Sequence, residues 1–324
     1  MLRTLSALLL LFFLIACAPH MEGAGPKTGE ADIVGDVIQT ADGTQLPLRR
    51  WEPNSAPKAV LLGVHGFNDY GNFLMPGFPD YLAENGILLI TYDQRGFGQT
   101  ANRGLWAGTQ TFVNDLASII HLIHARYEHL PLYVMGESMG GAIVMNTMAR
   151  IKPLPVEGII LSAPATWGMQ VWPWYQKLAL YTLSHTLPWL KLSGGGILQP
   201  TDHIENWHNW SRDPLVIRAT RVDAVYGVSQ TMADALNASP KITTPTLLLY
   251  GAKDEVIPAI ATKTMLSSMT ITPTFAFYEN GWHWLPRDKN AQTVWADILS
   301  WINDAQQPLP SGADMDSRKR LEMQ

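Results

Sequence analysis

Between residues 58 and 164 short apolar runs alternate with longer amphipathic stretches. The run from Val60 that ends in His65-Gly66, Ile87 to Tyr92, Leu132 to Met135 and Gly158 to Ser162 are rich in Leu, Ile and Val, which predicts strands buried on both faces. Pro79 to Asn85, Phe112 to Tyr127 and the stretch opening at Gly141 read as the helices between them. Upstream, Ile33 to Trp51 alternates apolar and polar positions and breaks at Asp42-Gly43, a hairpin signal. The rhythm stops near Pro164 and returns with apolar strands at Thr246 to Gly251 and Thr274 to Tyr278. Strand and helix in alternation predict an α/β fold: a mostly parallel central sheet with helices on both faces. Residues 33–164 and 239–305 form its two parts, and 165–238 fits a helical cap inserted into the sheet's connections.

The cap interval holds Trp167, Trp172, Trp174, Trp189, Trp207 and Trp210, half of the chain's twelve tryptophans. Aromatic residues at helical spacing usually pack a core. The competing reading is that they line an acyl channel and dip into lipid. Gly194-Gly195-Gly196 is the hinge candidate.

The ends of the chain are different in kind. Arg3 is followed by an apolar run from Leu5 to Ala16, about 12 residues and too short to span a bilayer. Leu14-Ile15-Ala16-Cys17 resembles a bacterial lipobox. On that resemblance residues 1–16 are a lipoprotein signal peptide and Cys17, the only cysteine, is the lipid-attachment site. Residues 17–32 then read as the lipidated cysteine and a flexible tether, and 306–324 as a disordered tail. Ala18, where an aspartate would resemble an inner-membrane retention signal, favours the outer membrane of the cell envelope. Loss of Arg3 with the leader takes the net charge from −5 to −6, which argues against electrostatic binding of nucleic acid. No obligate protein partner is evident.

The chemistry sits where strands end. Gly136-Glu137-Ser138-Met139-Gly140 follows the Leu132 strand and opens onto a helix. A Gly-x-Ser-x-Gly should occur by chance in roughly one chain in ten of this composition, so its context decides. Strand, sharp turn and helix in that order are what a nucleophile elbow needs to expose a serine hydroxyl. A serine needs a histidine to take its proton, and the histidine needs an acid on its other nitrogen. Asp254 follows the Thr246 strand and His283 follows the Thr274 strand, both after the serine in chain order. Loops after parallel strands gather at the carboxyl edge of a sheet, where sites form. Glu255, Asp234 and Asp288 are the competitors for the acid. The pair His203 and His208 is a weak metal signal without a nearby cysteine.

An oxyanion hole requires two backbone donors. The Val60 strand ends in His65-Gly66-Phe67, where the Phe67 amide can turn into the site; the Met139 amide, directly after the nucleophile, is the second. His65 is read as a brace for this loop and not as the base.

Together, His65-Gly66, Asp93-Gln94-Arg95-Gly96-Phe97-Gly98, Gly136 to Gly141, Asp254 and His283 resemble the monoacylglycerol lipase/lysophospholipase branch of the α/β-hydrolases, over about residues 33 to 303. The resemblance implies a serine hydrolase of amphiphilic esters, with Ser138, Asp254 and His283 catalytic, Phe67 and Met139 as oxyanion donors, a structural Asp93 to Gly98 turn, and no cofactor. The chain has Asn68-Asp69-Tyr70 where that branch carries Glu-His, and Gln99-Thr100 where it carries serine. A carboxylate nucleophile, as in dehalogenases and epoxide hydrolases, is excluded by Ser138. Two rivals stay open. One is a small-ester or aminopeptidase-type hydrolase of the same fold; the other is a lipid-anchored binding protein without turnover.

Overall fold

The computed structural model describes residues 18–193 and 198–324. The leader, Cys17 and the hinge candidate Gly194-Gly195-Gly196 lie outside the described residues. Among the described residues the main sheet has nine strands: β1 (Asp32–Val34), β2 (Val37–Gln39), β3 (Gln45–Trp51), β4 (Ala59–Val64), β5 (Ile87–Tyr92), β6 (Leu132–Glu137), β7 (Gly158–Ser162), β10 (Thr246–Gly251) and β11 (Thr274–Tyr278). Their order is β1-β2-β3-β5-β4-β6-β7-β10-β11. The first four pair antiparallel, and from β5 to β11 every pairing is parallel. The hairpin expected at Asp42-Gly43 joins β2 to β3, and a second turn at Gly35 splits off the short β1.

The strand interiors alternate between two apolar layers. Val60, Leu62 and Val64 of β4 face one side, where they join Phe112, Leu116 and Ile120 of α2 (Thr109–Arg126) and Ile143 of α3 (Met139–Arg150). Leu61 of the same strand faces the other side with Phe78 and Leu82 of α1 (Phe78–Glu84) and Ile298 and Trp301 of α8 (Ala291–Asn303). Burial on both faces is why these strands read as continuous apolar runs. The fold is that of the α/β-hydrolases, with a mostly parallel sheet flanked by helices.

Between β7 and β10 lie α4 (Trp174–Thr186), β8 (Lys191–Leu192), α5 (Ile204–Arg212), β9 (Thr220–Arg221) and α6 (Val222–Ala238). Helix α6 packs on α3 and buries Ala224, Val228 and Ala235 in the main core, so it belongs to the scaffold as much as to the cap. Strands β8 and β9 pair with each other apart from the main sheet. Helix α7 (Ala259–Ser268) follows β10.

Both ends of the chain make contacts that their composition does not announce. Within the mostly exposed residues 18–31, Met21 bridges to Trp106, the Glu22 amide donates to the Trp106 carbonyl at 2.7 Å, and the Gly25 amide donates to Asp42 at 2.8 Å. The tail packs as well. It forms α9 (Ser317–Glu322), buries Leu309, Ala313 and Leu321, and accepts a hydrogen bond from the Phe277 amide at the Ala313 carbonyl. Prolines, glycines and charges around three apolar anchors hide this from composition, while the open edge of β11 needs a cover. Leu321→Ala should therefore lower the stability to urea by about 2–3 kcal/mol; an unchanged midpoint would restore the free tail.

Candidate active site

Ser138 joins β6 to α3 with φ 54° and ψ −117°, a conformation that costs a non-glycine residue about 1–3 kcal/mol. Three backbone hydrogen bonds hold it there. Its amide donates to the Ser162 carbonyl at 3.0 Å, and its carbonyl accepts from the amides of Ala142 at 3.1 Å and Ala165 at 2.9 Å. The flanking glycines serve close approach and not positive φ. A Cβ at Gly136 would sit 2.5 Å from the Gly141 nitrogen, and one at Gly140 would run into the Val64 carbonyl oxygen at the end of β4. The register places Val64 opposite Gly136, so the His65-Gly66-Phe67 loop leaves the sheet beside the nucleophile.

Asp254 and His283 follow β10 and β11 at the same carboxyl edge. The Asp254 Oδ1 accepts from the amides of Val256 at 2.8 Å and Ile257 at 2.9 Å, which fixes the carboxylate. Its Oδ2 meets His283 Nδ1 at 2.8 Å, and both side chains are buried. Nδ1 donates in this pair, leaving Nε2 as the acceptor. Burial works against the charged ring, but the adjacent Asp254 and the nearby Glu137 outweigh it, and the His283 pKa lies above its ordinary value. The rival acids are engaged elsewhere. Glu255 accepts from the Gln199 amide, Asp234 pairs with Arg150, and Asp288 accepts from the Thr201 hydroxyl at 2.6 Å and the Trp282 amide at 2.7 Å.

Ser138 and His283 line a common cavity of about 570 Å³, together with Gly66, Phe67, Leu198 and Trp210. Among the described residues no hydrogen bond joins the serine to the imidazole; such contacts commonly tighten only when substrate enters. Met139 is the first residue of α3, so its amide sits at the positive end of the helix dipole. His65 is fully buried: Nδ1 donates to the Gly66 carbonyl at 2.8 Å and Nε2 accepts from the Gln94 amide at 3.0 Å. Burial lowers its pKa and keeps the ring neutral in this role. Asp93 accepts from Arg49 and from the amides of Gly71 and Gln99, and Arg95 pairs with Asp42 and Asp115, so that turn is scaffold. Trp284 lines the cavity and meets Trp210 at 5.1 Å between ring centroids; Trp282, on the other side of His283, is not part of that lining. His203 caps α5 by accepting from the Asn206 amide. Among the described residues no group of three or more His, Cys, Asp or Glu side chains is placed to hold a metal ion.

One feature of the site went unread in the sequence. Arg287, four residues after His283, donates to Asp69 at 3.0 Å and to Glu137, the residue before the nucleophile. All three are buried, and the guanidinium lies 4.1 Å over the Trp284 ring. Burial, with help from Asp69, pushes the Glu137 carboxyl up to about 7 despite the opposing pull of Arg287. The available signal was a charged residue at the end of an otherwise apolar strand, which demands a buried partner.

A parallel sheet with a serine on a strained strand–helix turn and an Asp–His pair at the same edge defines an α/β-hydrolase with a serine nucleophile, and the protein is a carboxylic-ester hydrolase. The family model described as "Serine aminopeptidase, S33" matches residues 55–290, and the chain belongs to that family. It is similar to the monoglyceride lipase of Mus musculus, 28% identical over 82% of this chain and 89% of the relative. The monoacylglycerol lipase of Mycolicibacterium smegmatis is 25% identical over 80% of this chain and 93% of its own length. Among solved structures, a soluble variant of the monoglyceride lipase from Saccharomyces cerevisiae superposes with a TM-score of 0.69 at 19% identity, covering 90% of this chain and 99% of that one.

Arg287→Ala leaves two buried carboxylates facing each other. It should lower stability by about 3–5 kcal/mol in chemical denaturation, whereas a loss within 1 kcal/mol would mean that the cluster is hydrated in solution.

Proposed function

We propose that this protein hydrolyses carboxylic esters of monoacyl lipids through an acyl-enzyme, working at the cell envelope while held to the bilayer by a lipidated Cys17. The observation that carries the chemistry is the buried Asp254–His283 pair opening, with Ser138, into one cavity with aliphatic and aromatic walls. The monoglyceride lipases among the relatives favour monoacylglycerol over lysophospholipid as the substrate.

In the first half-reaction Ser138 Oγ attacks the ester carbonyl carbon and His283 Nε2 takes the hydroxyl proton. Asp254 holds the ring in the tautomer that leaves Nε2 free and stabilises the imidazolium. The amides of Phe67 and Met139 receive the oxyanion, and each such donor is worth about 3 kcal/mol of barrier. The carbonyl–oxygen bond to the alcohol breaks and His283 returns the proton to the departing alcohol. Water then gives a proton to the same nitrogen as it attacks the acyl carbonyl; the bond to Ser138 Oγ breaks, His283 returns the proton to that oxygen, and the carboxylic acid leaves.

Ser138→Ala should lower kcat by about 10⁴-fold or more across an ester series from acetyl to palmitoyl. Wild-type rates should rise with acyl length, and residual wild-type activity in the variant would overturn the assignment. Because the base must be neutral, kcat/KM should fall as the pH drops through the raised His283 pKa, with the acidic limb above the ordinary value of about 6.5. Asp254→Asn should move that limb to lower pH. A limb at or below the ordinary value in the wild type would remove Asp254 from its role. The family's description motivates one rival, a peptidase acting behind small amino-terminal residues. Faster turnover of an alanine anilide than of a monoacylglycerol would replace the lipid reading.

A further inference from the structure

We propose that a basic hollow beside the catalytic cavity is an anion subsite. It takes the charged end of an acidic single-chain amphiphile, a carboxylate or a phosphate, while the alkyl chain occupies the cavity that Ser138 opens into. Arg103, Lys191, Arg218 and Arg221 line this hollow of about 440 Å³, and no carboxylate is among its lining residues. Four cations in one recess stand out on a chain whose net charge is −5.

The charges are not balanced from within. The register of the small ribbon sets Lys191 of β8 directly opposite Arg221 of β9, and like charges facing each other across a strand pair are destabilising. Asp223 pairs with Arg221 and offsets one of the two. Asp213, the carboxylate next to Pro214 of the hollow, is taken up by the Tyr70 hydroxyl at 2.6 Å and the Leu215 amide at 2.8 Å. Arg103 donates to the Pro214 carbonyl at 2.9 Å, a neutral partner. Among the described residues Lys191 and Arg218 make neither an ion pair nor a side-chain hydrogen bond, and both are exposed. An anion with two or three oxygens would relieve the repulsion and suits the forked guanidinium of arginine.

The hollow is joined to the site. Ile217 and Arg218 line both the hollow and the catalytic cavity, so one segment forms the wall between them. That wall is fastened to the loop after β4: the Ile217 amide donates to the Asn68 carbonyl at 3.0 Å, and the Asn68 side chain donates to the Thr220 hydroxyl at 2.7 Å. Asn68 directly follows Phe67, whose amide faces the reacting carbonyl in the mechanism above. Ester hydrolysis creates such an anion in the cavity itself, because a neutral ester leaves as a carboxylate. An acidic headgroup on a monoacyl phospholipid presents the same chemistry before cleavage. The choice of a single-chain ligand rests on the function proposed above; the unbalanced charge stands without it.

The test is a calorimetric titration of residues 18–324, which contain every described element, and reads binding without turnover. The probes are decyl phosphate and its uncharged counterpart 1-O-decylglycerol, both below their micelle concentrations. The phosphate should bind at least about fivefold more tightly than the ether, and added salt should shrink that advantage. Lys191→Gln with Arg218→Gln should abolish it, whereas Arg218→Lys, which keeps the charge, should retain most of it. Arg221 is left in place because its removal would strand the buried Asp223. Equal binding of phosphate and ether, or an advantage that survives the double variant, would overturn the proposal. Laurate and lauroyl lysophosphatidylglycerol, titrated into Ser138→Ala, distinguish the sources. A loss of affinity in the added double variant for laurate alone makes the hollow a product site, and a loss for the lysolipid makes it a headgroup site. Failure of Ser138-dependent ester hydrolysis in the wild type would sink the enzymatic reading without touching the decyl phosphate result.

Discussion

Arg287 is the one cation in a buried cluster that ties together three of the loops forming the site. Asp69 comes from the loop after β4, Glu137 from the last position of β6, and Arg287 itself from the segment after His283. Each carboxylate would be intolerable in that interior alone, and each is tolerated because the same guanidinium faces both. The consequence is positional. The loop carrying the Phe67 amide, the strand carrying the serine and the turn carrying the histidine cannot drift apart without stranding a charge. Trp284 completes the arrangement by stacking under the guanidinium while its other neighbour, Trp210, forms the cap side of the cavity.

Upon that frame the serine is held under strain. Its positive φ persists because hydrogen bonds from three directions and the close passage of α3 against the end of β4 over-determine the turn. The histidine is held by a different device, an ion pair whose acid is itself fixed by two backbone amides. Both side chains are thus fixed at the carboxyl edge of the sheet, where they open into the same cavity.

The cap forms one wall of the cavity. Its inner surface supplies Leu198, Trp207 and Trp210 to the cavity, while its outer surface leaves Trp174 and Trp189 exposed. The two sets of tryptophans that were indistinguishable by spacing are thus divided between them. Segment 199–206 fastens the cap to the catalytic turns: the Trp284 amide donates to the Pro200 carbonyl, Thr201 donates to Asp288, and Asn206 donates to the Arg287 carbonyl. Burial pushes the Asp288 carboxyl up to about 7, so this fastening includes a group whose charge changes near neutral pH.

Local pattern determined the sheet, its two-sided burial and the order of serine, aspartate and histidine after three strands, because strand runs and turns are set by neighbours in sequence. The five central strands came out within two residues of their observed bounds for the same reason. What pattern could not reach were interactions between distant segments. Asp69, Glu137 and Arg287 each read as ordinary polar residues until the fold set them against one another across 68 to 218 positions of chain. The tail and the amino-terminal segment looked loose by composition, yet buried Leu321 packs the tail beside β11, and a backbone bridge at Met21 lays the amino-terminal segment along Trp106. Composition reports the average of a segment, while packing is decided by single residues meeting surfaces that only the folded chain creates.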